Sequence, residues 1–202
     1  MPLHLTRHAP TAAPRKQVVG HRDTPLSEEG RAAAADFADA CAARLDGPPA
    51  RLVSSDLRRA RDTAAALAAR WDRTVETDAR LRELHFGAWE GRTWAEVERD
   101  DAEALSDWMT DWVHAAPPGG ESFAALADRV EAWLDDQRFG EATQRPVFVV
   151  AHAGALRALL CRTLGLPLSA AFGFAFDPLR LSVLRRAEEN RWTAASLNAP
   201  VS

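Results

Sequence analysis

Lysine is nearly missing from this chain. Lys16 is the only one, so the positive charge is almost wholly arginine, and there is no tyrosine at all. The sequence also lacks a P-loop, a His-Glu-x-x-His helix, an Asp-rich cation loop and any Cys/His cluster, so no metal, no other cofactor and no P-loop nucleotide chemistry is expected. Its two cysteines, Cys41 and Cys161, sit in alanine- and leucine-rich stretches and read as small core residues rather than a disulfide framework. No block of like charge occurs and the net charge is only −4, which argues against nucleic acid or an anionic membrane as partner. No apolar run approaches the ~18 residues of a membrane span, and no basic-then-apolar leader opens the chain; a cytoplasmic protein is expected.

What is present suits one domain over residues 1–202: 47% of residues are hydrophobic and 27% charged, enough for a substantial core. Leu3 to Thr6 is strand-like. Ser27 is a candidate cap for a helix to about Leu45, with Phe37, Cys41 and Leu45 on one face. Leu52-Val53 is a second short strand, and Ser54-Ser55 are good cap residues for a helix from about Asp56 to Arg70. Thr74 to Thr77 alternates like a strand, while about 93–136 reads as a small helical insertion broken at Pro117-Pro118-Gly119-Gly120. Val147 to Val150 is a continuous apolar run typical of a strand buried on both faces. A helix follows from about Ala155 to Leu164, then two strand-like segments, Leu179 to Arg185 and Arg191 to Leu197. The alternation predicts an α/β fold: a three-layer sandwich whose mostly parallel central sheet is flanked by helices. An exposed edge strand near the C-terminus would leave a homodimer open.

In open α/β sheets the ligand crevice lies beyond the carboxyl ends of the strands. Three of those ends carry unusual residues. Arg7-His8 closes the first. Ser54-Ser55 leads to Arg58 and Arg59 in the first turn of a helix, where cations oppose the macrodipole unless an anion sits nearby; the bland alternative is neutralisation by Asp56 and Asp62. His152-Ala153-Gly154 follows the buried strand, with small residues that would leave helix N-terminal amides open to an oxyanion. Two histidines and two arginines at strand ends suit a phosphate cradle. Glu83, in Leu81-Arg82-Glu83-Leu84-His85-Phe86-Gly87-Ala88-Trp89-Glu90-Gly91, is a carboxylate beside aromatic side chains and so a candidate general acid.

These motifs resemble the histidine phosphatase (phosphoglycerate-mutase-like) superfamily. The likeness spans nearly the whole chain: Arg7-His8 with Thr11; Gly20-His21 before Asp23-Thr24-Pro25-Leu26-Ser27; Ser54 to Leu57 leading to Arg59-Ala60 and Thr63; Glu83 to Gly91; and His152-Ala153-Gly154. The resemblance implies a metal-independent phosphomonoester hydrolase with His8 as nucleophile, Arg7, Arg59 and His152 as phosphate pocket and Glu83 as proton donor. It adds Thr11, Gly20, His21 and Ala153 as substrate contacts. Ala9 and Ala153 stand where the family usually has glycine, changes that narrow the pocket without removing a reacting group. Within the superfamily, Gly20-His21 with Thr24-Pro25-Leu26, Trp108 to His114 and Gly119 to Phe123 are similar to the α-ribazole-5′-phosphate phosphatases of cobalamin synthesis. That implies α-ribazole 5′-phosphate, or its cobamide form, as the small-molecule substrate. A broad-specificity sugar-phosphate phosphatase would share every catalytic residue, a protein phosphohistidine phosphatase would lack the helical segment, and a non-catalytic phosphate-binding protein would have lost His8 or an arginine. Trp108 and Trp112, four apart on one predicted helical face, could stack on a flat leaving group or simply pack the core.

Overall fold

The computed structural model describes residues 2–137, 145–186 and 191–201. Its sheet has six strands: β1 (Pro2–Arg7), β2 (Arg51–Ser54), β3 (Val75–Thr77), β4 (Val147–Ala151), β5 (Leu181–Arg186) and β6 (Trp192–Ala199). Their spatial order is β3-β2-β4-β1-β5-β6; the first four run parallel, and β5 and β6 are antiparallel to their neighbours. The helices are α1 (Glu28–Arg44), α2 (Arg58–Trp71), α3 (Trp94–Asp100), α4 (Ala102–Thr110), α5 (Phe123–Asp136) and α6 (Ala153–Leu164). The expected α/β sandwich with a mostly parallel sheet is what forms.

The layering follows from the two-residue period of the strands. In β4 every residue is buried. Val147, Val149 and Ala151 join Leu126 and Val130 of α5 and Leu156 and Leu159 of α6 in one core, while Phe148 and Val150 face Phe37 and Cys41 of α1 and Leu67 of α2 in another. An unbroken apolar strand is thus the signature of a sheet covered on both sides. Burial pushes the Cys41 thiol up to about 12, so it stays protonated. At the edge, β6 is more exposed than any strand of the interior. Among the described residues no helix is long and apolar enough to cross a membrane.

Capping explains two boundaries. Ser27 Oγ accepts the Gly30 amide at 2.9 Å, so α1 starts where expected. Ser54 and Ser55 do not cap α2. Both are fully buried, Leu57 is the N-cap, and the Arg58 amide is instead taken by Asp23 at 2.6 Å. The residue needed to satisfy this helix end comes from a loop far back in sequence. Asp56, expected to neutralise the α2 arginines, pairs with Arg82 at 2.7 Å, while Asp62 does pair with Arg58.

Trp112 also departs from expectation. It lies beyond the end of α4 and packs on Phe123 and Phe172, whereas Trp108 packs on Phe86, Trp89 and Trp94. The two indoles do not share one face; the helix stops before the second is reached.

Candidate active site

At the carboxyl ends of β1, β2 and β4 a cleft of about 380 Å³ opens, lined by Arg7, His8, Thr11, Gly20, Arg59 and Glu83 together with Gln17, Phe86, Trp94 and Arg157. The parallel pairing of β1 and β2 with β4 places their three exits side by side, which brings residues far apart in sequence to one point.

His8 is pinned by both backbone and ring. Its amide donates to the Ala151 carbonyl at 3.0 Å, and Nδ1 lies 2.7 Å from the Ala9 carbonyl. A carbonyl can only accept, so Nδ1 carries the proton and Nε2 keeps its lone pair. Burial, then the Arg59 charge and more weakly that of Arg7, lowers the His8 pKa to about 3, against an opposing pull from the Ala9 carbonyl. The ring is therefore neutral at physiological pH.

His152 sits behind it, fully buried, with ring centroids 5.0 Å apart. Arg59 Nε donates to its Nδ1 at 3.2 Å, and arginine has no acceptor, so Nδ1 is bare and Nε2–H donates to Ser55 Oγ at 2.9 Å. Burial and then the Arg59 charge hold this histidine well below its ordinary pKa. Ser55, read from sequence as a cap, is its anchor.

Arg59 is itself 2% exposed. Its guanidinium donates to the Gly20 carbonyl at 2.7 Å and the Arg22 carbonyl at 2.8 Å, which fixes its plane. Gly20 has φ +53°, and a Cβ there would fall 2.0 Å from Glu90 Oε1, so glycine is needed for this turn to present its carbonyl. Arg7 donates to Phe176 O at 3.2 Å, and its buried Nε has no acceptor, so the guanidinium retains donors for an anion.

Glu83 is held by α6. Its carboxylate accepts the amides of Gly154 (3.0 Å) and Leu84 (3.0 Å), favourable at a helix N-terminus. The Gly154 amide, expected to be open to an oxyanion, is thus already occupied. The Glu83 carbonyl accepts from His21 Nε2 (2.7 Å) and Arg129 (2.9 Å), and Arg129 also binds the carbonyls of Arg80 and Arg82 and the Glu121 carboxylate. His21 stacks on His85 and is not among the residues lining the cleft; nor is Ala153, which packs in the core at the start of α6.

Arg129, Trp94 and Arg157 were not singled out from the sequence. The available signal for Arg157 was a lone cation among Ala155, Leu156, Ala158, Leu159 and Leu160, on the helix that His152 begins. Among the described residues no three or more His, Cys, Asp or Glu side chains are grouped to hold a metal ion.

The comparisons with known proteins agree with this geometry. A family profile of the histidine phosphatase superfamily (branch 1) matches residues 3–200. A glucosyl-3-phosphoglycerate phosphatase of Mycolicibacterium vanbaalenii is 42% identical over 82% of this chain and 75% of its own. An adenosylcobalamin/α-ribazole phosphatase of Escherichia coli is 33% identical over 98% of this chain and 91% of its own. Among solved structures, the α-ribazole phosphatase of Shigella flexneri superposes with a TM-score of 0.88 at 31% identity, covering 98% of this chain and 96% of that one. A mycobacterial glucosyl-3-phosphoglycerate phosphatase superposes with a TM-score of 0.83 at 34% identity, covering 98% and 99%. The chain belongs to the histidine phosphatase superfamily, and is a phosphomonoester hydrolase of the kind that works through a phosphohistidine without a metal cofactor.

Proposed function

We propose that His8 Nε2 receives the phosphoryl group of a small sugar-phosphate or glycerate-phosphate monoester and passes it to water. The observation that carries this reading is the His8 ring: neutral, locked by Ala9 through Nδ1 so that Nε2 keeps its lone pair, and part of the cleft lining. Nε2 attacks phosphorus as the ester P–O bond breaks. Arg7 and Arg59 balance charge on the equatorial oxygens, with His152 orienting Arg59. The Glu83 carboxyl gives its proton to the departing alkoxide. As carboxylate it then takes a proton from the water that attacks phosphohistidine, breaking the P–N bond and releasing phosphate. Thr11 and Gly20 line the approach.

The sugar-phosphate class leads because the glucosyl-3-phosphoglycerate phosphatase is the more similar in sequence of the two kinds of relative. The α-ribazole 5′-phosphate reading expected from the motifs is second, supported by the fuller overlap with the phosphatases of that name. The test is phosphate release, in EDTA, from a panel of sugar phosphates, phosphoglycerates and α-ribazole 5′-phosphate, with trapping of the phosphoenzyme. Comparable cleavage of several sugar phosphates supports the broad reading. A lead of orders of magnitude for α-ribazole 5′-phosphate replaces it with the second, and no release from any substrate overturns both. In the same assay Glu83→Ala is expected to lose ~10²–10⁴-fold on alkyl phosphates and much less on p-nitrophenyl phosphate, whose leaving group needs no proton. Equal losses would remove Glu83 as the acid.

Gly154→Ala separates the acid's position from the fold. A Cβ at Gly154 would lie 2.2 Å from Glu83 Oε1, a flexible side-chain end that can swing aside. The swing breaks the hydrogen bond from the Gly154 amide to Glu83, but alanine favours a helix over glycine by up to ~1 kcal/mol, so the variant should stay folded and melt close to wild type. Displacing the carboxyl by an ångström should still cost roughly 10²-fold in kcat on alkyl phosphates. Wild-type kcat in a folded variant would show that the Gly154 contact does not set the acid's position.

A further inference from the structure

We infer that Arg157 makes this cleft selective for monoesters whose leaving group carries its own negative charge, a carboxylate or a second phosphate. The inference rests on His8 being the nucleophile. Three guanidiniums, those of Arg7, Arg59 and Arg157, line the cleft, against one carboxylate, Glu83. The two histidines add no charge, since burial keeps both neutral. A phosphate dianion matches Arg7 and Arg59. When Glu83 holds a proton, as a general acid must, Arg157 loses the carboxylate that acts on it most and keeps only the weaker Asp177, in a partly enclosed site where poorly paired charge is costly. An anionic leaving group removes the excess; a neutral one leaves it.

The side chain is prepared for such a contact. Arg157 Nε donates to the Phe174 carbonyl at 2.9 Å, and the guanidinium lies 5.1 Å from the centroid of the Phe172 ring. These contacts fix one edge and one face of the fork. Its two terminal nitrogens make no hydrogen bond among the described residues, and they belong to a side chain that lines the cleft. A pre-set fork loses little entropy on binding an oxyanion. Glu83, the group that protonates the departing oxygen, lines the same cleft; burial lowers the Arg157 pKa most, and Glu83 is the first of the charges acting on it, ahead of Arg7 and Asp177. Phe86 and Trp94, also lining the cleft, supply apolar surface for the uncharged part of the alcohol.

The experiment is the ratio of kcat/KM between charged and neutral leaving groups. 3-Phosphoglycerate supplies a carboxylate, fructose 1,6-bisphosphate a second phosphate, and ribose 5-phosphate neither. Wild type is expected to favour one or both charged substrates, and which of them leads identifies the anion. In Arg157→Gln that preference should fall ~10–100-fold, the worth of one charge-assisted hydrogen bond of about 1.5–3 kcal/mol, with partial recovery in Arg157→Lys. A ratio the same in Arg157→Gln as in wild type, or no preference in wild type, overturns the inference. Failure of the underlying reading looks different: wild type would form no phosphohistidine with p-nitrophenyl phosphate.

Discussion

His8→Ala is expected to abolish turnover, by ~10⁴-fold or more, on every substrate including p-nitrophenyl phosphate, because removal of a nucleophile disables a catalytic unit as a whole. The acid can be bypassed by a good leaving group; the nucleophile cannot. The arginines would still bind phosphate, so the variant should retain affinity for inorganic phosphate while forming no phosphoenzyme. The His8 ring fills a tight site against His152 and Ala9, so circular dichroism and a melting curve must accompany the assay. Activity within tenfold of wild type in a folded variant would mean that water attacks the ester directly. The pH profile adds an independent reading. With its pKa near 3, His8 stays in the attacking form across any practical range, so an acid limb between pH 4 and 7 belongs to another group, such as the second ionisation of the substrate phosphate near pH ~6. A limb that persisted unchanged with a substrate of shifted phosphate pKa would return the titration to the enzyme.

The parts of the site legible in the sequence are those that ride on regular strands. Arg7-His8 and His152 emerge at strand ends because a strand followed by a polar residue and small side chains fixes where that residue comes out, and Val147 to Val150 declares its own burial. What stayed hidden depends on contacts made across the sequence. Ser54 and Ser55 look like caps, and only the packing of β2 beside β4 turns Ser55 towards His152. Asp23 supplies the missing cap, but no local pattern links it to Arg58. Arg129 reads as a surface position on an amphipathic helix until α5 is docked, when it gathers three carbonyls of the segment carrying Glu83. The choice between α-ribazole and glycerate-type substrates is hidden for the same reason. Under the proposed reading it turns on the cleft walls, to which Gln17, Trp94 and Arg157 contribute, and each of these is ordinary in its own stretch of sequence.

The neutral histidines also predict a steep loss of stability in mild acid. His4 is lowered to about 4 by burial and then Arg185; His8 is lowered to about 3, and its neighbour His152 is lowered too, by burial first and then by Arg59. In the unfolded chain each would titrate near its ordinary value of 6.5. Below that pH the unfolded state takes up protons that the folded state refuses, so the free energy of unfolding falls as pH falls. Each such histidine contributes about 1.4 kcal/mol per pH unit, from about pH 6 down to its folded value, where the folded state finally takes the proton. The carboxylates act elsewhere: Asp56 and Glu121, held low by Arg82 and Arg129, add their losses only below the ordinary carboxylate range. The window from pH 6 to 5 therefore reports the histidines. Urea unfolding there should show uptake of at least two protons, a loss of roughly 3 kcal/mol over that one unit. His4→Leu, on β1 away from the cleft, should reduce the slope by about one proton and leave the phosphoenzyme assay working. A flat profile between pH 6 and 5 would mean that these rings are protonated in the folded protein, and a charged His8 could not attack phosphorus.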